Sequence, residues 1–253
     1  MSEYKWQNIT ILNSRNLRLD GLFYTREEPA AITLIVCHGF TGSKEGGGKA
    51  IEMAEHFAQF NIETLLFDFA GNGKSEGNFS EISLSNHIDD LKWVVNWCRQ
   101  IKSGPVITVG RSFGGCAAIA HAATDTNIDG VCTWATPAEL RPLFWGLAVE
   151  DPMESSLVHL ENEEGTVLLK SEFFHDIAHY NLTEAVARIS PRPLLFIHGT
   201  EDETVPPDDA KKLYDAANDP KMLRYIPKAE HRFQDTYQDV WSVCLEWLNL
   251  HFQ

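Results

Sequence analysis

The 253-residue chain is short of positive charge: 21 Lys and Arg stand against 36 Asp and Glu, a formal net charge of −15. No local cluster of Lys or Arg offsets that balance, and a surface of this sign repels phosphate backbones and anionic lipid. Nucleic acid and membrane partners are therefore not expected. Long apolar runs are missing too. No stretch reaches the roughly 18 apolar residues of a spanning helix, and the opening MSEYKWQNIT has neither the basic nor the apolar region of a secretion signal. The expectation is a cytoplasmic protein. Cysteine is scarce: Cys37, Cys98, Cys116, Cys132 and Cys244 are an odd number without CxxC spacing, each inside an apolar strand or helix pattern. They read as buried free thiols rather than a disulfide framework. No internal repeat or low-complexity segment is present, so repeat architectures drop out.

What is present suits one large α/β domain, with 43% hydrophobic and 23% charged residues. Alternation over Lys5 to Leu12 and Asn16 to Tyr24 predicts an antiparallel pair, and the near-continuous apolar run AITLIVCH predicts a central strand buried on both faces. Helical spacing from Lys49 to Phe60, a short strand Glu63 to Phe67, and a helix with Ile88, Leu91, Val94, Val95 and Cys98 on one face follow. This alternation is the doubly wound signature. It continues through the strand Val106 to Val109, a helix from Phe113, the strands Asp129 to Trp134 and PLLFIHG, a helix near Ala210 to Ala216, the strand Met222 to Ile226, and a final helix. From Thr136 to Ser190 the rhythm breaks, and about 55 residues separate consecutive sheet strands where a few would suffice. That segment reads as an insertion with a short helix Leu140 to Leu147, a hairpin turning at Glu164 and Gly165, and a helix Ser171 to Tyr180.

At the strand-to-helix junction stands GRSFGG, residues 110–115. A serine hydroxyl is a poor nucleophile unless a base takes its proton and a donor stabilises the oxyanion. A sharp turn between glycines lifts Ser112 above the sheet and aims the Phe113 N–H at the reaction site. The base expected is His231, in PKAEHRF between the last strand and the final helix, where loops leave the carboxyl ends of the strands. The acid expected is Asp202 in HGTEDETVP, with Glu201 and Glu203 as neighbouring rivals.

The order Ser112, Asp202, His231 resembles that of the α/β-hydrolase family, and the resemblance extends over essentially the whole chain. GRSFGG matches that family's nucleophile elbow, GTEDETVP its acid loop, AEHRF its histidine loop, and CHGFTGSK its HG-containing oxyanion loop. The resemblance implies a mostly parallel eight-stranded sheet flanked by helices, a single domain over 1–253, and a small cap at 136–190. It also implies Phe40 and Phe113 as oxyanion donors and His38 as a structural residue under the loop. Arg111 departs from the pattern, since many members carry His before the serine.

Within the family the cap pattern and HGFTGSK look most like the cinnamoyl and feruloyl esterases and related small carboxylesterases. A serine esterase follows, needing no metal or organic cofactor, its partner a small-molecule ester, with Trp145 and Phe174 as candidate substrate contacts in an aromatic-rich cap. Thioester or lipid-ester hydrolysis is the alternative, as is a small-molecule receptor with little turnover. Dehalogenases and epoxide hydrolases carry aspartate at the elbow and do not fit. The oligomeric state is left open.

Two other patterns are weaker. The GKS in DFAGNGKSEG lacks the first glycine of a phosphate-binding loop, because Asp68 occupies that position. HDIAH, His175 to His179, lacks the glutamate of a zinc peptidase and any evident third ligand. Asp89 and Asp90 read as the solvated face of their helix.

Overall fold

The computed structural model describes residues 3–162 and 165–253. β1 (Lys5–Leu12) and β2 (Arg18–Thr25) pair antiparallel, from Lys5 opposite Thr25 to Leu12 opposite Arg18. β3 (Ile32–Cys37) leads to α1 (Lys49–Ala58), β4 (Ile62–Phe67), α2 (Leu84–Ile101), β5 (Val106–Arg111), α3 (Phe113–Ala122) and β6 (Gly130–Trp134). The next segment holds α4 (Leu140–Leu147), a separate hairpin of β7 (Leu157–Asn162) and β8 (Gly165–Lys170), α5 (Glu172–Ile177) and α6 (Leu182–Ala187). β9 (Leu194–Gly199), α7 (Asp208–Ala216), β10 (Lys221–Ile226) and α8 (Tyr237–Phe252) complete the chain. The main sheet has eight strands in the order β1-β2-β4-β3-β5-β6-β9-β10. Only the pairings of β2 with β1 and β4 are antiparallel. This is the α/β-hydrolase fold.

Alternation along the strands builds two cores. On β9, Leu194 and Phe196 face one way and Leu195 and Ile197 the other. The first core packs against α2, α3 and the segment carrying α4 to α6; the second packs against α1 and α8, through Met53, Phe57, Val240, Cys244 and Trp247. The central strands read as unbroken apolar runs because both faces are covered, and each buried Leu or Ile stabilises the fold by roughly 1.5–3 kcal/mol. Local caps set the helix starts. Ser83 accepts from the Asn86 N–H at the head of α2, and Asn181 accepts from the Glu184 N–H at the head of α6.

The structure corrects the sequence reading in several places. Helix α6 was not expected, because six residues are too few to establish a helical period. Helix α5 stops at Ile177, three residues before Tyr180. Of the expected hairpin turn, Glu164 lies outside the described residues. Asp90 is fully buried rather than solvated. It accepts from Asn13 Nδ2 (2.7 Å), from the Ala70 N–H (2.9 Å) and from the Arg15 guanidinium, so it ties the β1–β2 turn and the loop after β4 to α2. Burial pushes its carboxyl above the ordinary value even against Arg15. Its place three residues after His87 and four before Val94, both buried, is the signal that sets it on the inner face. All five cysteines are buried and free. No helix among the described residues is long and apolar enough to cross a membrane.

Candidate active site

β5 ends at Arg111 and α3 begins at Phe113, so Ser112 alone makes the reversal. Its backbone lies at φ 50° and ψ −122°, a region that costs a non-glycine residue about 1–3 kcal/mol. The surrounding packing enforces it. A Cβ on Gly114 would lie 2.3 Å from the carbonyl oxygens of both Cys37 and His38, and one on Gly110 would lie 2.5 Å from Gly114 O. Helix α3 therefore rests directly on the strand ends, which only glycine permits.

Asp202 follows β9 and His231 lies between β10 and α8. His231 Nε2 is 3.2 Å from Ser112 Oγ, and His231 Nδ1 is 2.9 Å from Asp202 Oδ2. The three side chains meet across 119 residues of chain. Glu201 and Glu203 are exposed, whereas Asp202 is buried. Its Oδ1 accepts the N–H groups of Thr204 (3.0 Å) and Val205 (2.8 Å).

A fourth donor, missed in the sequence, is His198 at the end of β9. Its Nε2 is 2.9 Å from the Val205 carbonyl and 3.1 Å from Asp202 Oδ2. A carbonyl only accepts, so this nitrogen carries hydrogen and donates to both. Burial alone would raise the Asp202 carboxyl, but the hydrogen bonds from His198, His231 and the Val205 N–H outweigh it and hold the group below the usual carboxylate range. An ionised Asp202 accepts only, so His231 donates from Nδ1 and offers Nε2 to the serine hydroxyl. That is the tautomer that can take a proton from Ser112. The available signal was a histidine one turn before the acid, closing an apolar strand.

The loop after β3 is fixed by a second histidine. The Phe69 N–H donates to His38 Nε2 (3.1 Å), so Nδ1 bears the hydrogen and donates to the Gly39 carbonyl at 2.9 Å. Burial lowers the pKa of His38 and keeps it neutral. The Gly42 N–H also reaches the Gly39 carbonyl, at 3.0 Å. In a trans peptide the C=O and the next N–H point opposite ways, so holding the Gly39 oxygen against His38 turns the Phe40 N–H away from it. Gly39 itself packs beside the serine: a Cβ there would lie 3.4 Å from Ser112 Cβ and 3.3 Å from the Arg111 guanidinium. Phe113, the first residue of α3, carries one of the helix's unpaired N-terminal donors.

The rings of Phe40 and Phe113 run into an aromatic cluster with Phe144 and Phe173, at centroid separations of 5.2 Å (Phe40 to Phe144) and 5.7 Å (Phe113 to Phe173). Phe174 continues it, meeting Phe173 at 5.4 Å and Trp145 at 5.0 Å. Phe174 has 0% exposure and Trp145 is half-buried. The Phe174 ring thus packs into the core between Phe173 and Trp145.

The GKS segment wraps a carboxylate instead of a phosphate. Asp68 accepts from the Lys44 N–H and Nζ (2.7 Å each) and from the Lys74 N–H (2.9 Å). His175 and His179 are exposed, and no three His, Cys, Asp or Glu among the described residues converge as metal ligands would.

Residues 28–160, more than half of the chain, match the family model Hydrolase_4, described as serine aminopeptidase, S33. The chain belongs to this hydrolase family. The matched span contains the elbow and the oxyanion-type loop but neither Asp202 nor His231, whose approach to Ser112 rests on the geometry above. Among curated proteins, the chain is 26% identical over 249 residues to the uncharacterised protein YfhR of Salmonella typhimurium, covering 92% of this chain and 79% of that one. It is 26% identical over 247 residues to rat mitochondrial palmitoyl-protein thioesterase ABHD10, covering 94% and 82%. Among solved structures, Est1E from Butyrivibrio proteoclasticus with ferulic acid bound superposes with a TM-score of 0.85 at 20% identity, covering 96% of this chain and 99% of that one. The Pyrococcus furiosus esterase PF2001 gives 0.78 at 21% identity, covering 99% and 92%. At these identities the structural likeness speaks to the fold.

Proposed function

We propose that the protein is a carboxylic ester hydrolase in which Ser112 attacks the ester carbonyl, His231 takes and returns the proton, and Asp202 holds the imidazole. The Phe40 and Phe113 N–H groups stabilise the oxyanion, water then releases the acid from the acyl-enzyme, and no metal or organic cofactor is needed. The observation that carries this reading is the 3.2 Å approach of His231 Nε2 to Ser112 Oγ, with Asp202 on the other ring nitrogen. Residues 136–190 act as a cap on a single domain. p-Nitrophenyl acetate should turn over, a fluorophosphonate should label Ser112, and Ser112→Ala should lose roughly 10⁴- to 10⁶-fold of kcat while folding normally. A folded Ser112→Ala enzyme with wild-type turnover, or a wild type without turnover, defeats the reading; the second result points to a receptor.

Aryl esters of the cinnamoyl and feruloyl kind are the substrates proposed first, supported by the half-buried Trp145 and by the ferulic acid bound to Est1E. Trp145→Ala should then lower kcat/KM for methyl ferulate far more than for an acetate ester. Phe174→Ala should affect both alike, through packing. The resemblance to ABHD10 favours a second reading, thioester hydrolysis. Palmitoyl and acetyl thioesters tested beside their oxygen esters separate the two.

A further inference from the structure

The two oxygens of Asp202 are divided between backbone and imidazole. The Thr204 and Val205 N–H groups share Oδ1, at 3.0 and 2.8 Å, while two rings share Oδ2, with His231 Nδ1 at 2.9 Å and His198 Nε2 at 3.1 Å. A carboxylate offers about four lone-pair sites, so this one is filled. The mechanism above uses His231 and leaves His198 without a part.

The place of the His198 ring is set by backbone. Gly199, the next residue, packs so closely on the loop before His231 that a Cβ there would lie 2.2 Å from the Ala229 carbonyl oxygen. The same segments are tied by the Thr200 N–H to the Ile226 carbonyl (3.0 Å), the Glu201 N–H to the Ala229 carbonyl (2.9 Å) and the Lys228 N–H to Thr200 Oγ1 (2.8 Å). The end of β9 and the loop carrying His231 thus hold each other, and His198 stays at Asp202. The ring is fully buried, and among the described residues its Nδ1 meets no hydrogen-bond partner. A hydrogen there would be a buried donor without an acceptor, so the ring's one hydrogen sits on Nε2, between the Val205 carbonyl and Asp202.

An oxygen that accepts from two donors gives less of its charge to each. We propose that His198 is a positioning residue of this site: its Nε2–H anchors the Asp202 carboxylate to the end of β9 and moderates the pull of Oδ2 on the proton of His231. The proposal deepens the esterase reading and rests on it for the effect on turnover. Other ionisable groups on the surrounding elements are exposed or engaged. Glu201 and Glu203 beside the acid, Asp208 on α7, Tyr225 opposite His198 on β10 and Glu230 beside the base are exposed. Asp209 on α7 accepts from the Ala138 N–H and Lys212, and His38 holds the loop after β3. Arg111 and Arg232 adjoin the serine and the base in the chain and are unchanged in the variants that follow.

His198→Phe keeps a ring and removes the donor; His198→Gln keeps a donor at similar reach. In His198→Phe, Oδ2 should pull harder on His231, so the proton on His231 Nδ1, followed by NMR without substrate, should move downfield. The acid limb of kcat/KM for p-nitrophenyl acetate should move up by roughly half a pH unit. His198→Gln should restore both toward the wild type. A purely structural histidine would change stability and move neither, and a folded His198→Phe protein with both signals unmoved overturns the inference. Should His198→Phe not fold, the wild type decides: its nitrogen resonances at pH 7.5 should show His198 protonated on Nε2, and a bare Nε2 overturns the inference. A wild type without turnover defeats the esterase reading, and the NMR signals still decide this one.

Discussion

The nucleophile turn and the segment from Thr136 to Ser190 lie on the same edge of the sheet and are held in different ways. At the turn, backbone meets backbone: α3 touches the ends of β3 and β5 so closely that a single methyl group at Gly114 would collide with two carbonyl oxygens. The segment is held by side chains. Its aromatic rings interlock, Asp176 accepts from the Ser85 N–H at 3.0 Å and from the Ser85 hydroxyl, and Lys170 pairs with Glu81 at 2.6 Å. Backbone contacts tolerate almost no substitution, whereas side-chain contacts can be exchanged for others of similar volume. Geometry needed for chemistry is thus built into the part that cannot vary. Selectivity can be carried by the part that can.

The largest expected effect lies at the rigid edge. Asp202→Asn should lower kcat by roughly 10³- to 10⁴-fold, because an amide no longer enforces the Nδ1–H tautomer of His231. Glu201→Gln and Glu203→Gln, both at exposed positions, should stay within about twofold of the wild type. Comparable losses at all three positions would mean that acidity of the loop, not one carboxylate, matters. The approach of Ser112, Asp202 and His231 to one another was legible in the sequence because each stands in a short motif whose spacing reports a turn. His198 was not, since an apolar strand ending in histidine looks the same whether the ring faces solvent, core or carboxylate. The aromatics at 144, 145, 173 and 174 were illegible for a related reason: a phenyl ring that packs a core and one that roofs a pocket leave the same apolar pattern.

Gly114→Ala tests the backbone side of the comparison. Relief of a 2.3 Å contact requires α3 to lift from the end of β3 and the loop that follows it, so the variant should be destabilised by about 3 kcal/mol. A displacement near 1 Å there should also cost on the order of 10² in kcat. Urea unfolding and turnover measured on the same preparation check both; an unperturbed variant would show that the turn is far softer than its packing implies.

Acid should weaken the two regions unequally. His38, His87 and His121 are buried, and burial lowers the pKa of all three, that of His121 to about 4. By contrast His159, His175 and His179 in the 136–190 segment are exposed. The unfolded chain takes up protons below about pH 6.5 that these three buried rings refuse, so their contribution is complete above that pH and falls as the medium is acidified toward pH 4. For His121 this should remove roughly 1 kcal/mol of stability per pH unit in that window, and His38 and His87 add to it in the same direction. Urea midpoints at pH 7.5, 6 and 5 measure the slope, and His121→Gln should make it shallower. A flat profile would show that the rings accept protons in the folded state.

The smallest effect should have the opposite sign. Gly146 lies in the exposed last turn of α4, and a Cβ built there meets nothing within 4 Å. Alanine loses less backbone entropy than glycine on entering a helix, a difference of roughly 0.5–1 kcal/mol in a helix interior and less near an end. Gly146→Ala should therefore raise the unfolding midpoint slightly and leave turnover of an acetate ester unchanged, although the helix belongs to the segment proposed to cover the site. The same methyl group thus destabilises at Gly114 and stabilises at Gly146. If Gly146→Ala instead slows turnover, α4 must change conformation during the reaction, and the segment could no longer be treated as a passive cover whose side chains alone set selectivity.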